Sequence, residues 1–304
     1  MENKEIVLKV LSILPKTKEI LNLRDITSEE KEGVANIVTS TDKKLEEYLK
    51  GTLLKMFPNS QVIAEESAEE TKFEDNVELK FIVDPIDGTT NFTNGWPHAI
   101  AIGIVNNKEL SGGILYDVIA GTVYSAIKDK GVYACDIDDM ANLKSVVKPK
   151  HETEKIKKSV ITFDTPFYDV KDFNITNEMF KKLYLDGASL KVVGPIALDV
   201  VKIALGKENR PHDYANAVFH LGVRAWDLAA STAILRELDG EIIGIDGKPL
   251  SIETLTSPTE KIAFIASGNS KMLEKLYEIY QQSEKQVKED IRADKDSDEY
   301  GELR

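Results

Sequence analysis

The sequence predicts an α/β protein made of two closely packed halves, and three observations predict it. Short apolar, β-branched runs at 61–65 (QVIAE) and 79–83 (LKFIV) have the composition of buried strands. Stretches with apolar residues at helical spacing flank and follow them. Between His98 and about Ala134, apolar segments broken at Asn106-Asn107, Gly112-Gly113 and Ala120-Gly121 form the pattern of an antiparallel meander. At 304 residues the chain can bury a substantial core, as one large domain or as two compact subdomains.

Taken in order, residues 2–22 place Ile6, Val10, Ile13 and Leu14 near one helical face, and Pro15 must bend or divide that helix. A second helix spans 42–56, carrying Leu45, Leu49, Leu53 and Met56, with Thr41 where an N-cap would stand. The charged patch at 148–158 (KPKHETEKIKK) is the expected boundary between an N-terminal half, 1–150, and a C-terminal half, 151–282. The second half reads as strand 159–163, helix 176–185, strand 189–193, helix 196–205, helix 226–238, strands 241–245 and 261–267, and helix 270–282. The stretch 283–304 has many charges of both signs and almost no large apolar residue, so a solvated, disordered tail is expected.

Composition excludes several classes. Apolar residues are 42% and charged residues 30%, the balance of a soluble globular chain. The single Cys135 rules out an intrachain disulfide and a cysteine zinc cluster, which fits the cytoplasm, and it reads as a core residue. No apolar run approaches the ~20 residues that span a bilayer, and the lysine-broken N-terminus is no secretory signal. A net charge of −13 repels nucleic acid. An acidic protein that binds an anion must recruit Lys/Arg or metal to do so.

The chemistry concentrates in acids. Asp84-Pro85-Ile86-Asp87-Gly88-Thr89-Thr90-Asn91-Phe92 follows directly on a strand, and the carboxyl ends of strands are where α/β sites form. Pro85 and Gly88 shape a turn that can point Asp84, Asp87 and the Ile86 carbonyl at one spot, a set of hard oxygens suited to Mg2+. Taken alone this is an ordinary Asp-Gly turn. Glu65-Glu66 at the end of a neighbouring strand adds a second acidic pair, which repels the first unless a cation lies between them. Asp227 in WDLAAS and Asp42 after Val38-Thr39 would, in isolation, be helix-capping carboxylates.

In this order the four pieces (Val38-Thr39 to Asp42, Glu65-Glu66, DPIDGTTNF at 84–92, WDLAAS at 226–231) resemble the inositol monophosphatase family of lithium-sensitive, Mg2+-dependent phosphatases, from about residue 6 to about residue 280. The resemblance implies a five-layered αβαβα sandwich, hydrolysis of small sugar or polyol phosphates without a covalent intermediate, and a homodimer. It places metal ligands at Glu65, Asp84, Ile86, Asp87 and Asp227, holding about two or three Mg2+ ions. It assigns the orientation of the nucleophilic water to Thr89 and Asp42, with Glu65 also catalytic. Substrate contacts fall on Gly88, Thr89, Thr90, Gly194 and the loop residue Lys31.

Two features depart from the family pattern. His220 stands seven residues before Asp227, where inositol-cleaving members place a substrate-contacting glutamate, and His220 and Arg210 are taken as substrate-binding residues. The connection from Gly206 to Trp226 is long and contains Arg210, His212 and Tyr214, groups able to bind a second phosphate or a sugar. A dual fructose-1,6-bisphosphatase and inositol monophosphatase is therefore a candidate. The alternatives are a 3′(2′),5′-bisphosphate nucleotidase or, outside enzymes, a regulatory binding protein on the same fold.

Overall fold

The computed structural model describes residues 1–23, 28–30, 37–68, 70, 71, 74, 76–163 and 170–301. Lys31 lies outside the described residues. The first layer is helical. Helix α1 (Asn3–Leu11) stops before Pro15, and α2 (Leu14–Asn22) takes that proline into its first turn, where its missing N–H is harmless. Strands β1 (Ser28–Glu30) and β2 (Ile37–Thr39) form a short antiparallel ribbon that leads into α3 (Ser40–Met56). The N-cap of α3 is Thr39, two residues before the expected Thr41. Thr39 stays extended, its side chain accepts from the N–H groups of Thr41 and Asp42, and the Asp42 carboxylate accepts from the Thr39 N–H.

Against these helices lies a seven-stranded sheet: β3 (Ser60–Ala64), β4 (Leu79–Asp87), β5 (Ala99–Asn106), β6 (Glu109–Asp117), β7 (Thr122–Ile127), β8 (Gly131–Asp136) and β9 (Lys144–Ser145), in that order. Only β3 and β4 are parallel, and the rest is the expected meander. A 3-10 turn at Glu65–Ser67 follows β3, and the short helix α4 (Thr89–Thr93) follows β4.

The second sheet runs β11 (Ser189–Lys191), β10 (Val160–Phe163), β12 (Ala217–Val223), β14 (Ile262–Ser267), β13 (Glu241–Gly244). Its central strand β12 lies inside the stretch read as a long connection. The run AVFHLGV is short, contains a histidine and follows a segment rich in turn residues, so its apolar character is diluted. Helices α5 (Val170–Leu185) and α9 (Ser270–Gly301) cover one face of this sheet, and α8 (Ile252–Thr256) precedes β14. Residues 283–301 of the expected disordered tail instead continue α9, anchored by buried Ser283 and Val287, and 302–304 lie outside the described residues.

Helices α6 (Ile196–Asn209) and α7 (Ala225–Glu237) form the layer between the sheets, sharing one core with the inner faces of both. The outer cores belong to α1–α3 on one side and α5 with α9 on the other. The stack is αβαβα, as the resemblance implied. Contact of α7 with the first sheet depends on two facing glycines, Gly103 on β5 and Gly113 on β6, which are register partners. A β-carbon on Gly103 would sit 2.5 Å from the Ala229 β-carbon, and one on Gly113 would sit 2.3 Å from the Ala230 carbonyl oxygen. Among the described residues no helix is long and apolar enough to cross a membrane.

Candidate functional site

Strand alternation aims the first acid. Phe81 and Val83 of β4 pack on the outer helices and Ile82 on the middle layer, so Asp84, next in the alternation, faces the middle layer where α7 begins. Between Asp84 and Asp87 the pairing with β5 slips, with Asp84 opposite Ala101 and Asp87 opposite Ala99. This irregularity re-aims the strand end. Asp87 then reaches the first turn of α6, where its carboxylate oxygens accept from the N–H groups of Ile196 (3.0 Å) and Leu198 (3.3 Å). Gly88 turns the chain into α4 at φ +87°, and a β-carbon there would crowd Pro195 at 3.2 Å.

Asp227 enters from α7, its carboxylate accepting from the Arg224 N–H at 2.7 Å in the first turn. Asp84, Asp87 and Asp227 thus each offer a carboxylate oxygen within 4.8 Å of the others. Asp84 and Asp87 are buried, Asp227 partly so, and Glu65 stands partly buried at the end of β3. Burial first, then the charges of Glu65, Asp87, Asp227 and Asp42, holds Asp84 well above the usual carboxylate range. Asp87 is raised by burial and then by Asp227, against the pull of the Leu198 and Ile196 N–H bonds. Asp227 is pushed up to about 7, by burial and then by Glu65.

One oxygen of Asp84, Oδ1, is buried without a hydrogen-bond partner. Converging carboxylates that oppose one another's ionisation, with one such oxygen left over, are an environment a divalent cation relieves. The donors are all hard oxygens, so the residues present fit Mg2+.

Beside this cluster Asp42 is fully buried. One oxygen accepts from the Thr39 N–H at 2.9 Å and from the Thr39 hydroxyl, and the other lies 3.0 Å from the Thr89 hydroxyl. The Thr89 hydroxyl is also 3.2 Å from the Ile86 carbonyl oxygen. Asp42, the Thr89 hydroxyl and the Ile86 carbonyl are therefore brought together at this point of the fold. Gly194 lies against α4, where the Asn91 amide donates to the Val193 and Pro97 carbonyls at 2.8 and 2.9 Å.

The two departures from the family pattern are built differently from what their sequence suggested. The Arg210 guanidinium donates to Asp117 at 2.8 Å and to Asp213 through a second edge, so its charge is engaged within the protein rather than presented to an anion. His220 is buried on β12, and its Nδ1 accepts from the Gly222 N–H at 3.0 Å, which puts the proton of the neutral ring on Nε2.

Burial pushes His220 from 6.5 down to about 4. The folded protein keeps the ring neutral while the unfolded chain protonates it below about 6.5, so the contribution is full above that pH and is lost as pH falls toward 4. Comparing urea unfolding at pH 7 and 4.5, we expect His220→Gln to lessen the acid loss of stability by roughly 2–3 kcal/mol. The acid cluster is common to both proteins and cancels, so equal pH slopes would contradict this.

The residues that sequence reasoning missed are the ones that hold others in place: the amides of Ile196 and Leu198, the Thr39 cap, and a buried Asp199–Lys202 pair at 3.0 Å on α6 that adds its charge beside Asp87. Only the i, i+3 spacing of Asp199 and Lys202 was visible in the sequence.

A family model described as the inositol monophosphatase family matches residues 3–285. The chain is 32% identical over 214 residues to the Nus factor SuhB of Pasteurella multocida (strain Pm70), covering 69% of this chain and 72% of that one. It is 29% identical over 252 residues to inositol monophosphatase 1 of Bos taurus, covering 81% and 82%. A solved IMPase/NADP phosphatase complexed with Mg2+ and phosphate shares the fold, with a TM-score of 0.72 at 21% identity over 91% of this chain and 95% of that one.

Proposed function

The chain belongs to the inositol monophosphatase family, whose members are phosphatases, and on that premise we propose that it hydrolyses monoesters of small polyols or sugars, inositol monophosphate foremost, with Mg2+ on Glu65, Asp84, Asp87, Asp227 and the Ile86 carbonyl. The observation that carries this reading is the convergence of Asp84, Asp87 and Asp227 around an unpartnered Asp84 oxygen. The Mg2+ and phosphate in the related IMPase/NADP phosphatase support the choice of ion.

Bound Mg2+ would supply Lewis-acid charge to a water and to the phosphoryl oxygens, offsetting the acids gathered at this site. The residues of the chain orient and shield the reacting groups. The Thr89 hydroxyl, by donating to Asp42, turns its lone pairs outward to accept from a water and hold it in line for attack. Asp42 keeps that hydroxyl oriented through its own two bonds to Thr39. The N–H groups of Gly88, Thr89 and Thr90, with the backbone at Gly194, are assigned to the substrate, and Asp87 stays fixed by Ile196 and Leu198 as charge develops.

Arg210 bears on substrate range. With its guanidinium on Asp117 and Asp213, a second phosphate gains no cation from it, so a monophosphate is preferred over fructose 1,6-bisphosphate. Phosphate release measured with Mg2+ on inositol 1-phosphate, fructose 1,6-bisphosphate and 3′-phosphoadenosine 5′-phosphate should favour the first by about tenfold in kcat/KM. Equal rates on the bisphosphate would remove the preference, and no release from any substrate would remove the enzyme reading. A homodimer in the cytoplasm completes the proposal, supported by family habit and by the buried, unpaired Cys135.

The Nus factor SuhB relative favours a second reading, a regulatory binding role on the same fold that does not use the acid cluster. Asp84→Asn separates the two, because a partner role survives loss of this acid and hydrolysis does not.

A further inference from the structure

Helix α3 presents Asp42, Glu46 and Lys50 at i, i+4 and i+8, on one face. All three reach the site's framework. Asp42 takes the Thr89 hydroxyl of the segment after β4. The Glu46 carboxylate, only 6% exposed, accepts from the Glu66 N–H at 2.7 Å. The Lys50 ammonium donates to the Ser67 hydroxyl at 2.8 Å. The last two therefore grip the three-residue turn Glu65–Ser67, which begins with the acid Glu65.

A turn that short cannot satisfy its first N–H groups from within. Glu66 N–H is one of these, and a buried carboxylate meets it. Burying a carboxylate to satisfy a single amide is costly unless the geometry it fixes matters. Here the fixed geometry sets the direction of Glu65, whose charge bears on both Asp84 and Asp227.

We propose that Glu46 is a positioning residue: by holding the Glu66 amide it aims Glu65 at the Asp84–Asp87–Asp227 cluster, and Lys50 steadies the far end of the same turn. This rests on the reading that the cluster holds a divalent cation. Helix α3 thereby sets one register for both acid-bearing segments, the end of β3 through Glu46 and Lys50 and the loop after β4 through Asp42.

The test is divalent-ion binding to the full-length protein, measured by calorimetry with Mg2+ and by spin resonance with Mn2+, for wild type, Glu46→Ala, Glu46→Gln, Lys50→Met and Asp84→Asn. Glu46→Ala should weaken binding about 10–100-fold, and Glu46→Gln, whose amide oxygen can still accept from Glu66 N–H, should restore most of it. Lys50→Met should show a smaller loss in the same direction. In kinetics, Glu46→Ala should raise the Mg2+ concentration for half-maximal rate while kcat at saturating Mg2+ recovers.

Wild-type affinity in Glu46→Ala overturns the proposal, as does an equal loss in Glu46→Gln. If Glu46→Ala does not fold, Lys50→Met and Glu46→Gln decide: wild-type affinity in Lys50→Met, or a lasting loss in Glu46→Gln, overturns it. Wild-type protein that binds neither ion, or Asp84→Asn that binds as well as wild type, overturns the cation reading itself, an outcome distinct from failure of Glu46 alone.

Discussion

Asp84→Asn is expected to abolish the proposed phosphate release, by about 10³-fold or more in kcat, while making the cation-free protein more stable. The two effects have one cause. Asp84 is 1% exposed, has an oxygen without a partner, and is opposed by Glu65, Asp87, Asp227 and Asp42. A neutral amide of the same shape removes that repulsion and the cost of burying a charge. It also removes one of the carboxylates proposed to hold Mg2+, so the charge that the proposed hydrolysis would draw on is weakened. Thermal unfolding with and without Mg2+ checks the pair of effects: wild type should gain stability from the ion, and the variant should start higher and gain little. A variant that is both inactive and less stable than cation-free wild type would mean that Asp84 serves packing rather than an ion.

The largest stability loss is expected from a single added methyl group. Gly113→Ala places a β-carbon 2.3 Å from the Ala230 carbonyl oxygen and 2.9 Å from the Ala233 β-carbon. Both obstacles belong to α7, and one of them is backbone, so neither can turn aside. Helix α7 must lift from β6 or the sheet must bow, at a cost of about 3 kcal/mol or more. Because α7 also carries Asp227, activity per folded molecule should fall as well. Gly51→Ala makes the same chemical change inside α3, where nothing lies within 4 Å, and should stabilise by up to ~1 kcal/mol through helix propensity. Chemical denaturation of both variants gives opposite signs if close approach is what Gly113 provides. A loss at Gly113 no larger than ~0.5 kcal/mol would show that the helix can move away.

The acids of DPIDGTTNF and WDLAAS read singly as an ordinary turn and a helix cap, and they became legible as a candidate site only because four acidic pieces occur in one order along the chain. The strand ends that carry them were legible from short apolar runs. What holds the acids was not. Asp87 is fixed by backbone amides of Ile196 and Leu198, groups that every residue but proline has and that no side-chain pattern advertises. Arg210 looked available to substrate because its partners Asp117 and Asp213 become its partners only through folding, and Asp117 lies 93 residues away. The cap of α3 was misplaced by two residues because Thr39 and Thr41 are chemically equivalent until the backbone leaves Thr39 extended. In α9, a charged surface hid the sparse buried positions, Ser283 and Val287, that keep the helix on the core.

The bond between Asp87 and the amide of Ile196 joins residues 109 apart in the chain. A ribosome delivers the acids of the first sheet well before the turn that restrains one of them and before the helix that brings Asp227. The emerging chain thus passes through a stage in which its acids have neither their holder nor their full complement. The proposed site is complete only once α7 has been made, and the restraint on its Asp87 comes from the first turn of α6.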